Sequence, residues 1–533
     1  MSRRTVPALL RDAERRFGSG VAVVDGGAEL TWRELASAAR RVGSGLRARG
    51  VARGDRVAVW APNSLHWVVA ALGVHEIGAV LVPLNTRYTG PEARDILRRA
   101  RVRLLLTVDG FLGLDFVGSL VAGLAHDDDA DPAVGDVVAG LPDLRDVVLF
   151  PGDRGAAEGR EVATLDWDRF LDGASDASPD AGPVDEHDLA DVVFTSGTTG
   201  RSKGVMTRQR QTVECVQAWV ECAGLRDDDR YLIASPFSHT FGYKAGLVAC
   251  VATGATMYPV ATFDVDHVLR LLHAEGITVV PGPPTILQSL LDASSGSGFG
   301  GSRWRIAVTG SAAVPVRLVE RLREAGVENV LTAYGLSEAV VVTMCRPDDP
   351  AEVVATTAGR PVAGFEVRVR AGDGGLQATG LPGEIELRGP NLMVGYLDDP
   401  AATGEVVDCD GWFRTGDVGT IDDDGYVSIT DRIKNMYTVG GFNVYPAEVE
   451  NALARLEGIR ESAVVGVPDE RLGSVGRAYV VRPPGADRPD ADDVLGHCRA
   501  RLANFKVPRE IRFLDRLPRN AAGKVVVDDL RRL

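Results

Sequence analysis

The chain has 533 residues, of which 45% are apolar and 25% are charged, a composition typical of folded globular proteins. A single hydrophobic core stops growing at roughly 250 to 300 residues, so this length excludes a single small domain. The 74 Asp and Glu residues outnumber the 59 Lys and Arg residues, and the net charge of -15 excludes a fold-wide basic surface for nucleic acid.

The spacing of the cysteines and the length of the apolar runs predict the cellular compartment of the protein. The six cysteines are scattered, without a C-x-x-C pair or a Cys/His cluster at metal-ligand spacing, which predicts a reduced protein. The N-terminal segment lacks the apolar core of a signal peptide, and no apolar run reaches the roughly 18 residues that a membrane helix needs. We therefore expect a cytoplasmic protein without integral membrane association and without a nucleic-acid partner.

The first part of the chain alternates short runs rich in Val, Ile and Leu with amphipathic stretches of helical length. This spacing predicts strands at 56–60, 80–84 and 104–108, a helix over 64–77 and another after Gly90. Such alternation is typical of β–α–β units on a largely parallel sheet.

A second alternating region begins with a strand at 191–194 and predicts another doubly wound lobe. After about Gly359, short strands separated by turn residues predict a β-rich subdomain. The predicted fold class is therefore α/β. It comprises a large N-terminal domain over 1–430, with two doubly wound α/β subdomains and a β-rich subdomain, and a small α+β C-terminal domain over 431–533.

A loop rich in glycine and hydroxyl residues, TSGTTGRSKG, covers residues 195–204 directly after a predicted strand. It exposes backbone N–H groups and Ser/Thr hydroxyls, the donors that phosphate groups need. It does not have the P-loop pattern, because Gly200 is followed by Arg201. By itself the loop predicts either a phosphate site or an ordinary flexible turn.

Four further motifs follow this loop in chain order: YGLSE at 334–338, GWFRTGD at 411–417, DRIK at 431–434 and PRNAAGK at 518–524. Together the five motifs resemble the signature of the adenylate-forming superfamily of acyl-CoA synthetases, peptide-synthetase adenylation domains and luciferases. The resemblance spans nearly the whole chain. It implies an AMP-forming acid–thiol ligase that uses ATP, Mg²⁺ and coenzyme A, with a C-terminal domain that moves.

The resemblance implies a site where a carboxylate attacks the α-phosphate of ATP and pyrophosphate leaves, a reaction catalysed mainly by positioning and charge neutralisation. Glu338 would hold Mg²⁺, Ser337 would lie against the α-phosphate, and Tyr334 with Gly335 would lie at the adenine. The residues that would enclose the β- and γ-phosphates are Thr195, Ser196, Gly197, Thr198, Thr199, Gly200 and Lys203.

The remaining nucleotide residues are implied in the same way. Asp417 would accept both ribose hydroxyls, since a carboxylate offers two acceptor oxygens. Arg432 would contact the ribose or a phosphate, with Lys434 nearby, and Lys524 would bridge the acid carboxylate and the α-phosphate. Taken singly, such residues are more often turn residues, helix-end carboxylates or surface charges, whereas the five motifs together favour the nucleotide site.

A second half-reaction is implied by rotation of the C-terminal domain about Asp431, which would withdraw Lys524 and complete a thiol tunnel. Gly440 and Gly441 would let a pantetheine arm approach the backbone, although a flexible turn is the alternative. His239 would gate the passage between the acid pocket and this tunnel, a packed core histidine being the alternative. Lys524 also matches a lysine whose acylation switches relatives off by removing its charge.

The predicted acid pocket comprises Phe241, Gly242, Lys244, Gly310 and Ser311. Lys244 is interpreted either as a surface lysine or as a cation that meets a polar group on the substrate. Longer blocks such as PFSHTFGYKAG and GGFNVYPAEVE resemble an actinobacterial group of ligases for a steroid-derived methyl-dioxo-hydroindane propanoate.

The chain departs from that group at Ser238, Thr240, 311–313 and 340–342. These departures leave the identity of the acid substrate open, because a hydrophobic pocket distinguishes acids by only roughly 1 to 3 kcal/mol per methylene. The first interpretation is a CoA ligase for a bulky cyclic or aryl acid. The second is a biosynthetic adenylating enzyme with another acceptor, such as a diazotase that activates nitrite for an aryl amine. The third, a non-catalytic adenylate-binding protein, is disfavoured by the catalytic-type residues. A homodimer is a further expectation from size.

Overall fold

The computed structural model of the protein describes residues 4–121, 138, 140–152, 162–177, 182–195, 202–294, 299, 302–310, 314–432, 435–439, 442–469, 471–502, 504–520 and 524–533. Within these residues, none of the helices is both long and apolar enough to cross a membrane.

The strands of the described residues are, in chain order, β1 (Val21–Asp25), β2 (Ala28–Thr31), β3 (Arg56–Trp60), β4 (Val80–Pro83), β5 (Val102–Thr107), β6 (Gly110–Phe111), β7 (Leu114–Asp115), β8 (Asp146–Leu149), β9 (Leu165–Asp166), β10 (Leu189–Thr195), β11 (Lys203–Arg208), β12 (Arg230–Ile233), β13 (Thr256–Pro259), β14 (Val279–Pro281), β15 (Ile306–Thr309), β16 (Asn329–Leu336), β17 (Ala339–Met344), β18 (Arg360–Pro361), β19 (Glu366–Arg370), β20 (Gly383–Arg388), β21 (Gly395–Tyr396), β22 (Phe413–Ile421), β23 (Val427–Arg432), β24 (Tyr437–Val439), β25 (Phe442–Val444), β26 (Glu461–Asp469), β27 (Gly473–Val481) and β28 (Glu510–Phe513).

The α-helices of the same residues are α1 (Val6–Phe17), α2 (Trp32–Ala48), α3 (Leu65–Glu76), α4 (Gly90–Arg99), α5 (Phe116–Val121), α6 (Trp167–Phe170), α7 (Gln209–Ala223), α8 (Ala249–Thr253), α9 (Val265–Ala274), α10 (Pro284–Ala293), α11 (Val316–Glu324), α12 (Ala351–Thr356), α13 (Pro400–Val406), α14 (Pro446–Leu453), α15 (Ala491–Arg499) and α16 (Val527–Arg532). A π-helical segment covers Phe241–Val248 and a short 3₁₀ helix covers Asn504–Lys506.

An eight-stranded sheet is built from the early part of the chain, in the order β21-β11-β10-β4-β3-β5-β8-β9. From β10 to β9 all neighbours are parallel, while β11 and β21 form an antiparallel edge. Every residue of β4 is buried, as expected for a parallel strand covered on both faces. The predicted strands at 56–60, 80–84 and 104–108 are confirmed, as is the helix α3, whose first turn is capped by Ser64.

A nine-stranded sheet forms the second lobe, in the order β18-β17-β16-β15-β14-β12-β13-β1-β2, with parallel pairing from β16 to β1. The prediction that this lobe begins at 191–194 is wrong, because Asp191 pairs with Leu81 in the first sheet. The N-terminal strand β1 instead joins the second sheet, where Val23 pairs with Met257. Alternation along the chain predicts strands and helices, but sheet membership depends on long-range pairing that no local period encodes.

The β-rich subdomain and the C-terminal region also form as predicted. The first is an antiparallel four-stranded sheet in the order β19-β20-β22-β23. The C-terminal region has a sheet in the order β25-β24-β27-β26, with β28 parallel to β27, and packs helices against it. Its buried apolar residues form two clusters within 437–530, whereas the clusters of the preceding region end at Val427.

A chain of buried polar groups ties the N-terminal helix to the π-helical segment. The Val6 N–H donates to Gln209 Oε1 at 2.9 Å, Gln209 Nε2 lies 3.1 Å from His75 Nδ1, and His75 Nε2 lies 2.6 Å from the Tyr243 hydroxyl. Because the Gln209 amide nitrogen is a donor, His75 is assigned as the neutral tautomer that accepts at Nδ1 and donates at Nε2. Burial, aided by the nearby Lys244 charge, lowers the pKa of His75 to about 3.

This depressed pKa predicts a loss of stability in acid. The unfolded chain takes up a proton at the ordinary histidine pKa of 6.5 while the folded His75 stays neutral, so stability falls as the pH drops through 6.5. This component is worth about 1.4 kcal/mol between pH 7.5 and pH 5.5. We expect it to disappear in His75→Gln, as measured by urea unfolding at the two pH values.

The comparison must be made between variants because Glu76 contributes with the opposite sign. Burial raises the pKa of Glu76 to about 7, so its contribution is lost as the pH rises rather than as it falls. Glu76 is present in both proteins, and its effect cancels in the difference. Equal pH slopes for the two proteins would contradict the assignment to His75.

Candidate active site

The predicted phosphate loop connects two neighbouring antiparallel strands. Thr195 ends β10 and is paired with Lys203, which begins β11, and the Thr195 hydroxyl donates to the Lys203 carbonyl at 3.5 Å. The loop residues between them, Ser196, Gly197, Thr198, Thr199, Gly200 and Arg201, lie outside the described residues. The end of the loop is held by Arg99, which donates to the Ser202 carbonyl at 2.7 Å.

A tight hairpin carries the YGLSE motif. Strand β16 reverses through Ser337 and Glu338 into β17, with Leu336 paired to Ala339. A Cβ atom on Gly335 would lie only 1.9 Å from the Val340 carbonyl oxygen, so the close approach of the strands requires glycine here. The hairpin thereby places Tyr334 on β16 and Glu338 in the turn itself.

The first side-chain cluster joins this hairpin to the β-rich subdomain. The Tyr334 hydroxyl donates to Asp417 Oδ2 at 2.6 Å, and Asp417 is only 3% exposed. The Asp417 N–H donates to the Thr415 hydroxyl at 2.9 Å, and the backbone of Asp417 is paired with that of Arg432. The structure therefore brings Tyr334 and Asp417, two of the predicted nucleotide residues, into direct contact.

The second cluster lies at the tip of the same hairpin. The Tyr396 hydroxyl donates to Glu338 Oε1 at 2.8 Å, and the Lys203 ammonium lies 4.6 Å from the centroid of the Tyr396 ring. Burial, followed by the neighbouring Glu338, raises the pKa of the Tyr396 phenol well above its ordinary value, so it remains a donor. Glu338 and Lys203 are thus brought together through a residue that the sequence did not identify.

The segment around Tyr396 is also fixed by backbone contacts. The Met393 N–H donates to the Glu338 carbonyl at 2.8 Å, and the Leu397 N–H donates to the Gly204 carbonyl at 2.8 Å. Tyr396 belongs to a strand of only two residues, β21, too short to show a period of two. The signal that the sequence offered was the position of Tyr396 in the block NLMVGYLDD at 391–399, between the YGLSE and GWFRTGD motifs.

The Glu338 carboxylate is a suitable ligand for Mg²⁺. No group of three or more His, Cys, Asp or Glu residues that could hold a metal occurs in the part of the chain that the structure describes. Mg²⁺ is commonly bound by one or two carboxylates together with substrate phosphates. One carboxylate oxygen of Glu338 accepts from Tyr396, which leaves the other for the metal, so the residues present fit this ion.

His239 and Phe241 lie at the N-terminal end of the π-helical segment. The His239 side chain is exposed, yet the protein around it causes enough desolvation to lower the pKa of its imidazole. The Phe241 N–H donates to His239 Nδ1 at 3.2 Å, and the Phe241 ring packs edge-on against Trp219 at 5.3 Å. The alternative of a packed core histidine does not hold, because His239 reaches solvent.

Two predicted pocket glycines are sites of close backbone approach. A Cβ atom on Gly242 would lie 2.4 Å from the carbonyl oxygens of Ser235 and Pro236. A Cβ atom on Gly310 would lie 2.6 Å from the Ala333 carbonyl oxygen. Ser311 lies outside the described residues.

Lys244 requires a correction, because it is neither a surface lysine nor a cation facing the substrate. Its side chain is 0% exposed, and its ammonium lies 3.1 Å from Asp191 Oδ1 and donates to the Thr207 hydroxyl at 2.9 Å. Asp191 also accepts from the hydroxyls of Thr207 at 2.8 Å and Thr212 at 3.3 Å. The signal that could have found this pair is Asp191 itself, since a carboxylate in an apolar strand is almost never buried without a partner.

The C-terminal residues are described in part. Lys524 is exposed, and its N–H donates to Asn520 Oδ1 at 2.9 Å while its carbonyl accepts from the Asn520 N–H at 2.8 Å. Asp431 and Arg432 end the strand β23, of which the backbone is described. Lys434, Gly440 and Gly441 lie outside the described residues.

Comparison with known proteins shows the family. The chain matches the model of the "AMP-binding enzyme" family over residues 10–397 and that of the "AMP-binding enzyme C-terminal domain" over residues 448–524. A 3-[(3aS,4S,7aS)-7a-methyl-1,5-dioxo-octahydro-1H-inden-4-yl]propanoyl:CoA ligase of Rhodococcus jostii (strain RHA1) is 53% identical over 99% of this chain and 98% of its own length. The ligase of the same name from Mycobacterium tuberculosis (strain ATCC 25618 / H37Rv) is 50% identical over 99% of both chains.

A solved structure agrees with this family. The anthranilate CoA ligase AuaEII in complex with anthranoyl-AMP superposes with a TM-score of 0.87 at 26% identity, covering 99% of this chain and 96% of its own. The fold and the near full-length identities therefore point to one enzyme class. The chain belongs to the AMP-binding enzyme family and is an adenylate-forming acyl-CoA synthetase that uses ATP and coenzyme A.

Proposed function

We propose that the protein activates a bulky cyclic or aryl acid, foremost a steroid-derived indane propanoate, and transfers it to coenzyme A. The observation that carries the proposal is the 53% identity, over nearly the full length, to a ligase named for that propanoate. The contacts of Tyr334 with Asp417 and of Tyr396 with Glu338 and Lys203 support an intact nucleotide site.

In the proposed first step, a carboxylate oxygen of the acid bonds to the α-phosphorus of ATP and the bond to pyrophosphate breaks. Asp417 accepts the ribose hydroxyls, Tyr334 with Gly335 lies at the adenine, and Ser337 contacts the α-phosphate. The loop from Thr195 to Lys203 holds the β- and γ-phosphates, and Arg432 and Lys434 lie near the ribose. Bound to Glu338 and the phosphates, Mg²⁺ would neutralise phosphate charge.

We also propose that the chain divides into domains over 1–430 and 431–533 that rotate about Asp431. The separate apolar clusters before Val427 and after Tyr437 support this division. In one orientation Lys524 reaches the reacting carboxylate. In the other, the segment with Gly440 and Gly441 lines a thiol tunnel that His239 gates.

Asp417→Asn tests the ribose contact. The amide keeps the shape of the side chain but loses its charge and one acceptor oxygen, and a hydrogen bond to a charged group contributes about 1.5 to 3 kcal/mol. We therefore expect an ATP dissociation constant at least about tenfold higher by calorimetry. Asp424→Asn serves as the matched control, because Asp424 is an exposed carboxylate in the turn between β22, which carries Asp417, and β23. The ribose role would be refuted by equal ATP affinities for the two variants.

The acid is tested by mass spectrometry of reactions with ATP, Mg²⁺ and CoA against a panel of acids. The panel comprises the indane propanoate, aryl acids, medium-chain fatty acids, and nitrite with an aryl amine. We expect a CoA thioester of the indane propanoate or of another cyclic acid. AMP release with nitrite and a diazo product, without a thioester, would instead support the diazotase alternative. A small pocket with an extra cation would favour that alternative, and Lys244, which is buried and paired with Asp191, does not supply such a cation.

Three finer expectations are part of the same proposal. Mg²⁺ is the expected metal because Glu338 offers a single carboxylate near Lys203, and Mg²⁺ is commonly bound by one or two carboxylates together with substrate phosphates. A homodimer and a cytoplasmic location remain expectations from size and from the sequence pattern. Light scattering of the purified protein and fractionation of the producing cells test these two expectations.

A further inference from the structure

Tyr396 contacts two charged groups that meet the same nucleotide in the proposed function. Its hydroxyl donates to Glu338 Oε1 at 2.8 Å, and its ring face lies 4.6 Å from the Lys203 ammonium. Tyr396 is only 6% exposed, and its backbone is paired with Val205 of the strand that leaves the phosphate loop. The side chain is therefore held in one place between the loop and the hairpin tip.

The two contacts use different parts of the tyrosine. The hydroxyl occupies one oxygen of the carboxylate and restricts rotation of the Glu338 side chain, which keeps the second oxygen available for a metal. The ring face attracts the ammonium through its quadrupole without forming a hydrogen bond. Lys203 is therefore held near the phosphates while its three N–H donors are not consumed by Tyr396.

We propose that Tyr396 is a positioning residue that orients the Glu338 carboxylate for Mg²⁺ and holds Lys203 beside it before ATP binds. Tyr396 itself contacts neither the metal nor the reacting atoms. The proposal rests on the proposed nucleotide site and extends it by one residue. Groups that hydrogen-bond to a metal-binding side chain typically change metal affinity 10- to 100-fold when removed.

Tyr396→Phe separates the two contacts, because it removes the hydroxyl and keeps the ring over Lys203. The direct readout is calorimetric binding of α,β-methylene-ATP, which cannot release pyrophosphate, at a series of Mg²⁺ concentrations and without any acid. We expect the half-saturating Mg²⁺ concentration to rise about tenfold. Tyr396→Leu removes the ring as well and should further weaken binding of the Mg²⁺–nucleotide complex at saturating Mg²⁺.

Tyr426→Phe is a closely matched control. The Tyr426 hydroxyl donates to Asp349 Oδ1 at 2.6 Å, and the Arg360 guanidinium lies 5.0 Å from its ring centroid, so the same two kinds of contact occur. Tyr426 is at the turn end of the β22–β23 hairpin, about 17 to 20 Å along the strands from the Asp417–Arg432 pair. We expect its loss of a hydroxyl to leave the Mg²⁺ dependence unchanged.

Wild-type Mg²⁺ dependence in a folded Tyr396→Phe variant would overturn the proposal. An equal shift in Tyr426→Phe would also overturn it, since a general loss of rigidity would then explain the effect. Thioester formation from preformed adenylate needs no metal and should stay unchanged in Tyr396→Phe. Failure of the wild-type protein to activate any acid would refute the proposed function instead, and the acid-free binding experiment distinguishes the two failures.

Discussion

Lys524→Ala is expected to lower the rate of adenylate formation by about 10²- to 10³-fold, the loss typical of removing one charge-stabilising donor from a transition state. In the proposed mechanism this ammonium bridges the acid carboxylate and the α-phosphate while negative charge accumulates there. Lys524 is exposed, so its truncation to alanine creates no cavity in the core. Pyrophosphate exchange measures this first half-reaction.

Thioester formation from synthetic adenylate should be largely spared, because the rotation proposed about Asp431 withdraws Lys524 before CoA attacks. Arg531→Ala removes an exposed C-terminal cation paired with Asp528 at 3.1 Å and should leave both half-reactions unchanged. Equal loss of both half-reactions in Lys524→Ala would contradict the rotation mechanism. Chemical acylation of Lys524 should reproduce the alanine phenotype, because it removes the same charge.

Lys244→Met is expected to lower the free energy of unfolding by about 3 to 5 kcal/mol, because it leaves Asp191 as a buried carboxylate without its cation. Both side chains of the pair are 0% exposed, so solvent cannot replace the missing partner. The hydroxyls of Thr207 and Thr212 still donate to Asp191 but supply no charge. Urea unfolding of the purified variant measures the loss.

Lys244→Met combined with Asp191→Asn should recover most of this loss, since a neutral amide avoids the cost of an unpaired buried charge. Arg98→Met is the surface control: its pair with Asp95 at 3.2 Å is exposed and is worth about 0 to 1 kcal/mol. If Lys244→Met cost no more than Arg98→Met, the ion pair would not be a main support of the fold. The Lys244–Asp191 pair, with the Thr207 hydroxyl, joins the π-helical segment to β10 and β11, the two strands that flank the phosphate loop.

Local sequence patterns predict many of the strands and helices because burial repeats at the period of each element. The strand at 56–60 has the predicted bounds, and the helix predicted over 64–77 begins after its Ser64 cap. The sheet to which a strand belongs was not predictable in this way. Strand β1 lies near the start of the chain yet joins the second lobe, whereas β10, which alternation along the chain assigns to the second lobe, pairs with β4 of the first.

The sequence alone determined the adenylate-forming family and the candidate nucleotide residues, because these depend on short motifs in a set order. It also determined the mixed α/β fold class, because this depends on the alternation of strand-length and helix-length stretches. Only the tertiary structure decided that Lys244 pairs with Asp191 inside the core and that Tyr396 joins Lys203 to Glu338. Both contacts form between segments far apart in the chain. Their energies come from desolvation and from distances of a few ångströms, which are properties of the folded chain rather than of any local pattern.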